Sequence, residues 1–404
     1  MKSDLTKEVA VPRLQTGAVR GELPATSATT YLNTGSYGPL PRCASEAITA
    51  AARADLEQGR IGGGPQAFAD YQALVATLRG DLGRLVGASD TEIALTRSTT
   101  EGINIGLWGR DWSPGDEVVT TSQEHPAVLI PLAVLHARHG VRVTVADVGH
   151  GEPDRALESL ARAIRPGVKM VVLSHVAYAT GATLPVAQVT RLAHAAGAVV
   201  HVDGAQAVGA IPVDVKDLGV DSYAFPGQKW LCGPDSSGGL YVAPDQLDAL
   251  RPASVSFSTV DFRQYDRSRP LDVVINPTAA RYETGTMYRP AVRGFAAAVR
   301  WLCGDVGLGS ALADIGELSR YCRDQAAQLA GVRVLTPAGP ASGLVAFQLG
   351  DAEPDGAAAC LARAGVSVRT VRENQSLRIS TGFFNTSDEV DRALGLVAAY
   401  LRSA

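Results

Sequence analysis

From about residue 65 the chain repeats one alternation: a short, valine-rich apolar run, then a stretch with helical periodicity, then another apolar run. The runs are "EIALT", "DEVVTT", "VRVTVADV", "VKMVVLSHV", "AVVHVD" and "SYAF". Between them lie "STTEGINIGLWG", "PAVLIPLAVLHARHG", "DRALESLARAI" and "PVAQVTRLAHAAG", each with the apolar spacing of a helix. Strands joined through helices run parallel, and a parallel sheet is covered on both faces, so its strands are apolar throughout. The chain is therefore expected to build a mostly parallel α/β sheet. The tail differs: "ASGLVAFQL", "VSVRTV" and "SLRIST" read as strands among helices, forming a second, smaller α/β unit. Its last helix opens at "TSDE", where Thr386 and Glu389 have capping-box spacing. The glycines and proline at 62–65 read as a loop.

The 404 residues carry a net charge of -4 and no basic run, which argues against nucleic acid as a partner. "MKSDLTKEVAVPRLQTG" lacks an apolar signal core, and the longest apolar stretch, Ala127 to Leu135, falls short of the roughly 20 residues a membrane helix needs. A cytoplasmic location is expected. Cys43, Cys232, Cys303, Cys322 and Cys360 have no paired spacing and read as buried free thiols. His136 and His139 lie one turn apart with no third ligand nearby, so they read as a solvated helix end, and no metal site is expected.

Chemistry concentrates just after the strands. Ser98, Thr99 and Thr100 follow the first run; Glu124 and His125 follow the second; Asp203 ends "AVVHVD", with Gln206 beyond; Lys229 follows "SYAF". Ligands of open parallel sheets bind outside the carboxyl ends of the strands, so these groups share one edge. Hydroxyls and free N–H groups at a helix start suit a phosphate, although an ordinary Ser/Thr cap reads the same way. A buried Asp203 needs a cationic or donor partner, and a protonated pyridine nitrogen would serve. His125 is either a turn residue or a ring stacked on a flat cofactor. Lys229 offers an amine for a Schiff base. Of the other lysines, Lys2 and Lys7 lie in the N-terminal tail, Lys169 starts a strand at the wrong edge, and Lys216 sits in a polar surface segment. Phosphate, pyridinium, ring and aldehyde together describe pyridoxal phosphate.

"YLNTGSYGPLP", "TTEGINIGLWG", "QEHPAV", "HVDGAQAVGAIPVDV", "KW" before "GGLYV", "RYETGT" and "LRISTGFFNT" together resemble the class V aminotransferase family of fold-type-I pyridoxal-phosphate enzymes. The resemblance runs from about residue 30 to 400 and looks closest to the cysteine/cystine C–S lyases and isopenicillin-N-epimerase-like proteins. It implies a large cofactor domain at 42–285 with a mostly parallel seven-stranded sheet. It implies a small domain from 1–41 and 286–404. By the same resemblance Lys229 holds the cofactor and moves protons, Asp203 pairs with the pyridine nitrogen, Gln206 faces the ring hydroxyl and His125 stacks on the ring. Ser98, Thr99 and Thr100 bind phosphate, joined by the partner subunit's Thr286 in a homodimer with shared sites. Arg378, with Arg369, clamps the substrate α-carboxylate by paired N–H···O bonds. Asn33 and Ser36 belong to the same substrate pocket.

Three positions depart from the family pattern. Relatives carry Ser or Thr three residues before the lysine and His directly before it; here these are Pro226 and Gln228. Proline offers neither hydroxyl nor N–H. The phosphate is thus expected to lean on Gln228, the Ser98–Thr100 turn and Thr286. Ala179 stands where many relatives place Asn, and "RTVRENQSLR" (369–378) lacks the cysteine that desulfurases of this fold carry before the carboxylate-binding arginine; Cys360 upstream reads as a core residue. The expected reaction is β-elimination from cysteine, cystine or an S-cysteinyl conjugate. The Arg/Ala/Gly-rich composition suggests a high-GC bacterium, and specialised metabolism such as lincosamide assembly enters by analogy only. Transamination, epimerisation, decarboxylation with or without deamination, and a non-catalytic binding role stay open.

Overall fold

The computed structural model describes residues 16–60 and 64–403. The expectations for Lys2, Lys7 and the loop glycines Gly62 and Gly63 lie outside the described residues. Gly64 and Pro65, read as loop, instead open the helix α2 (Gly64–Val86), which follows α1 (Arg42–Gln58). Proline is tolerated there because a helix's first N–H groups have no partner within it.

Seven strands form the large sheet: β1 (Ile93–Thr96), β2 (Glu117–Thr121), β3 (Arg142–Ala146), β4 (Val168–Ser174), β5 (Val199–Asp203), β6 (Ser222–Pro226) and β7 (Gly238–Val242). Their order is β1-β7-β6-β5-β4-β2-β3. Only β7 runs against its neighbours, pairing antiparallel with both β1 and β6. Its leading Gly238-Gly239 gives it no strand signal in the sequence, because glycine weakens strands. The apolar runs are apolar throughout for a visible reason. Val171 and Leu173 of β4 join one core layer while Met170 and Val172 join the other; Tyr223 and Phe225 of β6 are likewise opposed by Ala224.

Helix α3 (Thr99–Trp108) lies against β5 and β6 through Gly102 and Gly106, spaced one turn apart. A Cβ on Gly102 would meet that of Ala224 at 2.6 Å, and one on Gly106 would meet Nε2 of the buried His201 at 2.4 Å. The missing side chains let α3 sit close to the sheet and bring its N-terminus to the strand ends. Helix α4 (Pro126–His139) follows β2; His136 and His139 are exposed in its last turn, and Gly140 ends it in the left-handed conformation. Among the described residues no cluster could hold a metal ion and no helix is long and apolar enough to cross a membrane.

The tail builds a four-stranded antiparallel sheet from β8 (Arg333–Val334), β9 (Leu344–Gln348), β10 (Arg369–Val371) and β11 (Ser376–Ser380), in the order β10-β11-β9-β8. The run "VSVRTV" does not form one strand. Val366–Ser367 pairs parallel with Thr30–Tyr31 of the N-terminal segment, and only Arg369–Val371 joins the small sheet. Thr386 and Glu389 form the expected reciprocal cap, each side chain accepting the other's N–H at 3.3 Å. Of the five cysteines only Cys232 and Cys322 are buried; Cys43 and Cys360 are half-buried and Cys303 is exposed, so the expectation of buried thiols holds for two.

Gly106→Ala is expected to cost about 1–3 kcal/mol through overpacking against His201. Gly395→Ala, at a helix position with nothing within 4 Å, should be neutral or stabilising by up to about 1 kcal/mol. Thermal melts followed by circular dichroism compare them; equal losses would contradict the packing account.

Candidate active site

A cavity of about 200 Å³ opens where β1, β2, β4, β5 and β6 end. The parallel ladder is flush at this edge: Ser174 pairs with Asp203, and Asp203 with Ala224. Asp203 is buried and accepts the Ala205 N–H at 2.8 Å. Burial pushes its carboxyl up, while that N–H and the nearby Lys229 pull it down. Lys229 lies beyond the end of β6 and lines the cavity. Burial pushes its amine down to about 8; Asp203 opposes this and Arg378 and Arg369 reinforce it. Lys169 and Lys216 are bound in ion pairs with Asp116 and Glu92, whereas Lys229 has none among the described residues.

The lysine turn is tied to the N-terminal segment. Gly38 N–H donates to Gln228 O at 2.8 Å, and a Cβ on Gly38 would meet Lys229 O at 2.0 Å. Cys232 closes the turn with φ of 52°, an unusual conformation for a residue with a side chain. Gln206, expected at a ring hydroxyl, is largely engaged as a clamp: its Oε1 accepts Trp230 Nε1–H at 2.9 Å and its Nε2 donates to Gly35 O at 2.8 Å. One N–H of its amide is left for a ligand.

Ser98, Thr99, Thr100, Gln228 and Pro226 are among the residues lining the cavity. The hydroxyl of Ser98 caps α3 by accepting the Glu101 N–H at 3.1 Å, which leaves its own O–H able to donate to a ligand. Thr99 Oγ1 and Gln228 Oε1 are buried without partners. Thr286 is exposed and does not line its own chain's cavity.

His125 sits at the turn before α4 and also borders the cavity. It caps α4, Nδ1 accepting the Ala127 N–H at 3.1 Å, and its ring lines the cavity. Burial, then Lys229, pushes it down to about 4, so the ring is neutral at pH 7. The Tyr178 ring stands edge-on to it with centroids 4.8 Å apart. Glu124 is buried, with carboxylate oxygens accepting Ser174 N–H at 2.9 Å, Ser174 Oγ–H at 2.6 Å and Thr121 Oγ1–H at 2.7 Å. Burial raises it to about 7 against those bonds. It ties the ends of β2 and β4 together beside Asp203.

Arg369 and Arg378 are cross-strand partners in the small sheet. Like charges directly opposite one another are destabilising, which suits a site built for an anion. Arg378 is fully buried, and burial, with Arg369 adding, lowers it to about 9. Arg378 Nη1 donates to Tyr178 O at 2.8 Å, and both guanidiniums reach Ser36 Oγ at 3.3 Å. Asn33 lies outside the cavity lining and accepts the Ser36 hydroxyl at 2.7 Å, so it positions Ser36. Ser174, Tyr178 and Tyr37 also line the cavity. The sequence offers a signal for the first two in "SHVAYATG", which starts on the last residue of β4 and runs past the strand end.

Residues 54–393 match the family model "Aminotransferase class-V". A cysteine desulfurase of Haloferax volcanii is 31% identical over 334 residues, covering 78% of this chain and 76% of the relative. Isopenicillin N epimerase of Streptomyces clavuligerus is 29% identical over 398 residues, covering 92% and 95%. Among solved structures, a complex of the cystine C–S lyase C-DES with cysteine persulfide superposes with a TM-score of 0.86 at 29% identity, covering 93% of this chain and 99% of that one. A lysine-to-alanine mutant of C-DES, with glycine covalently linked to its pyridoxal-phosphate cofactor, gives 0.87 at 29%, covering 94% and 98%. The chain belongs to the class V aminotransferases, a pyridoxal-phosphate-dependent family with an α/β fold of type I. Its residues fit that cofactor: an amine without an ion pair, a buried carboxylate near it, and an unpartnered hydroxyl at Thr99 beside a helix N-terminus.

Only the neutral amine attacks an aldehyde. Covalent uptake of pyridoxal phosphate by the apo-protein, followed by visible absorbance, is therefore expected to accelerate with a midpoint near the Lys229 value of about 8. A midpoint above 10 would contradict the burial account.

Proposed function

We propose that this chain is a homodimeric C–S lyase that cleaves cysteine, cystine or a larger S-cysteinyl conjugate by β-elimination, releasing a thiol or persulfide, pyruvate and ammonia. One observation separates this from the desulfurase reading: none of the five cysteines lines the cavity. Cys360 is half-buried on the helix Pro354–Arg363. No protein thiol is at hand to accept sulfur, so sulfur leaves with the substrate fragment.

Lys229 would hold the cofactor, Asp203 its ring nitrogen, and Thr99, Thr100, Gln228 and the α3 N-terminus its phosphate, with the partner subunit's Thr286 completing the cradle. Bound pyridoxal phosphate supplies an electron sink that acidifies the substrate's Cα–H. Asp203 stays ionised against a protonated ring nitrogen, because a buried carboxylate is stabilised by an adjacent cation. Arg378 and Arg369 take the α-carboxylate and so turn the Cα–H bond toward Lys229. Neutral Lys229 accepts the Cα proton. The Cβ–S bond then breaks with its electron pair going to sulfur, and the thiolate takes a proton. Water hydrolyses the resulting 2-aminoacrylate to pyruvate and ammonia. His125, neutral and packed by Tyr178, provides a flat face over the site.

Lys229→Ala is expected to abolish both the visible cofactor band and thiol release. Arg378→Met is expected to weaken kcat/KM by about 10²-fold, the loss of a charge-assisted pair worth roughly 1.5–3 kcal/mol. A panel of S-substituted cysteines assayed for thiol and pyruvate tests the reading; pyridoxamine phosphate formed without thiol would overturn it in favour of transamination.

A further inference from the structure

Three aromatic rings line the cavity: His125, Tyr178 and Tyr37. The first two pack on each other, with centroids 4.8 Å apart, and Tyr178 is buried. Tyr37 is different. It is 58% exposed, and its side chain makes no hydrogen bond or ring contact among the described residues. A ring that borders the cavity and also faces solvent stands at the cavity's opening, where water covers its faces until a ligand does.

The backbone that carries this ring is held at both its polar groups. The Tyr37 N–H donates to Asn33 O at 3.3 Å, and the Tyr37 carbonyl accepts the Tyr31 hydroxyl at 2.9 Å. Ser36, just before it, accepts from Arg369 and from Arg378, each at 3.3 Å. Gly38, just after it, donates to Gln228 O at 2.8 Å and lies so close to Lys229 O that a Cβ would not fit. Pro39 and Pro41 restrict the chain beyond. Tyr37 therefore lies between the arginine pair and the lysine turn, in the chain and in space.

We infer that Tyr37 is a specificity-determining residue that stacks on a flat aromatic group carried by the substrate's sulfur. The inference rests on the proposed C–S lyase reading for the presence of sulfur at that position. With the α-carboxylate at the arginines and the Cα hydrogen at Lys229, the side chain of the substrate leaves toward the opening, and Tyr37 borders that path. Two rings in offset or edge-to-face contact gain more than the burial of their area alone. A saturated substituent of the same size gains burial only. Because the Tyr37 backbone is held before the substrate arrives, little ordering remains to be lost on binding.

The test uses the holoenzyme and pairs that differ in whether the terminal ring is aromatic. S-benzyl-L-cysteine and S-(cyclohexylmethyl)-L-cysteine are compared by kcat/KM for thiol release. L-homophenylalanine and L-homocyclohexylalanine, which carry no sulfur, are compared by calorimetric affinity. The cyclohexyl member is the more apolar, so a preference for phenyl reports stacking and not burial. The wild type is expected to bind L-homophenylalanine about three- to tenfold more tightly than its partner. Tyr37→Leu should lower both phenyl-to-cyclohexyl ratios by about that factor, whereas Tyr37→Phe, which keeps the ring, should hold them within about twofold of the wild type. Comparing each ratio before and after substitution cancels the difference between the two leaving thiols. A wild type that does not favour L-homophenylalanine would overturn the inference. So would equal losses for both members in Tyr37→Leu, or a Tyr37→Phe variant as impaired as Tyr37→Leu. The expected affinities without thiol release from either cysteine derivative would support the subsite and sink the lyase reading. Thiol release with ratios unmoved by Tyr37→Leu would sink the subsite alone.

Discussion

The parallel hydrogen-bonded ladder of β4, β5 and β6 ends flush, and everything at the cavity depends on that. Ser174, Asp203 and Ala224 stand side by side in register. The residues beyond the ends of these strands are thereby delivered to one edge, where they can serve a ligand. A one-residue slip of β5 would turn Asp203 to the opposite face of the sheet. The apolar runs prevent this, because both faces are buried and a slip would drive His201 and Asp203 into the other core layer.

Around that edge the protein places charges that oppose one another across a desolvated space. Burial raises Asp203 and lowers Lys229 and Arg378. Each group is thus poised to be relieved by an incoming ion of opposite sign. The arginines face each other across β10 and β11, an arrangement that costs energy until an anion lies between them. Glu124 holds the frame by joining β2 and β4, and the Gln206–Trp230–Gly35 chain joins the lysine turn to the N-terminal segment.

Much of this was legible in the sequence, for identifiable reasons. The sheet follows from apolar runs whose length and valine content are set by burial on two faces. Asp203 stood out as the polar end of such a run, and Lys229 as the lysine shortly beyond one. What escaped is tertiary. That Ser98 caps its helix depends on backbone geometry at the α3 N-terminus, which spacing alone does not give. Gln206 spends its amide on residues at 35 and 230, which no spacing reveals. Asn374 lies far from Ala179 in the chain, yet its side chain reaches the Ala179 carbonyl. The strand Gly238–Val242 was hidden by its glycines.

The central claim is that Lys229 removes the Cα proton and that the Cβ–S bond then breaks. Turnover of α-deuterated S-methyl-L-cysteine measures this most directly, with methanethiol, pyruvate and carbon dioxide quantified together. The account predicts one methanethiol per pyruvate, no carbon dioxide, and a rate several-fold slower than for the protiated substrate under single-turnover conditions. Carbon dioxide release, or a product that keeps its sulfur, would contradict it.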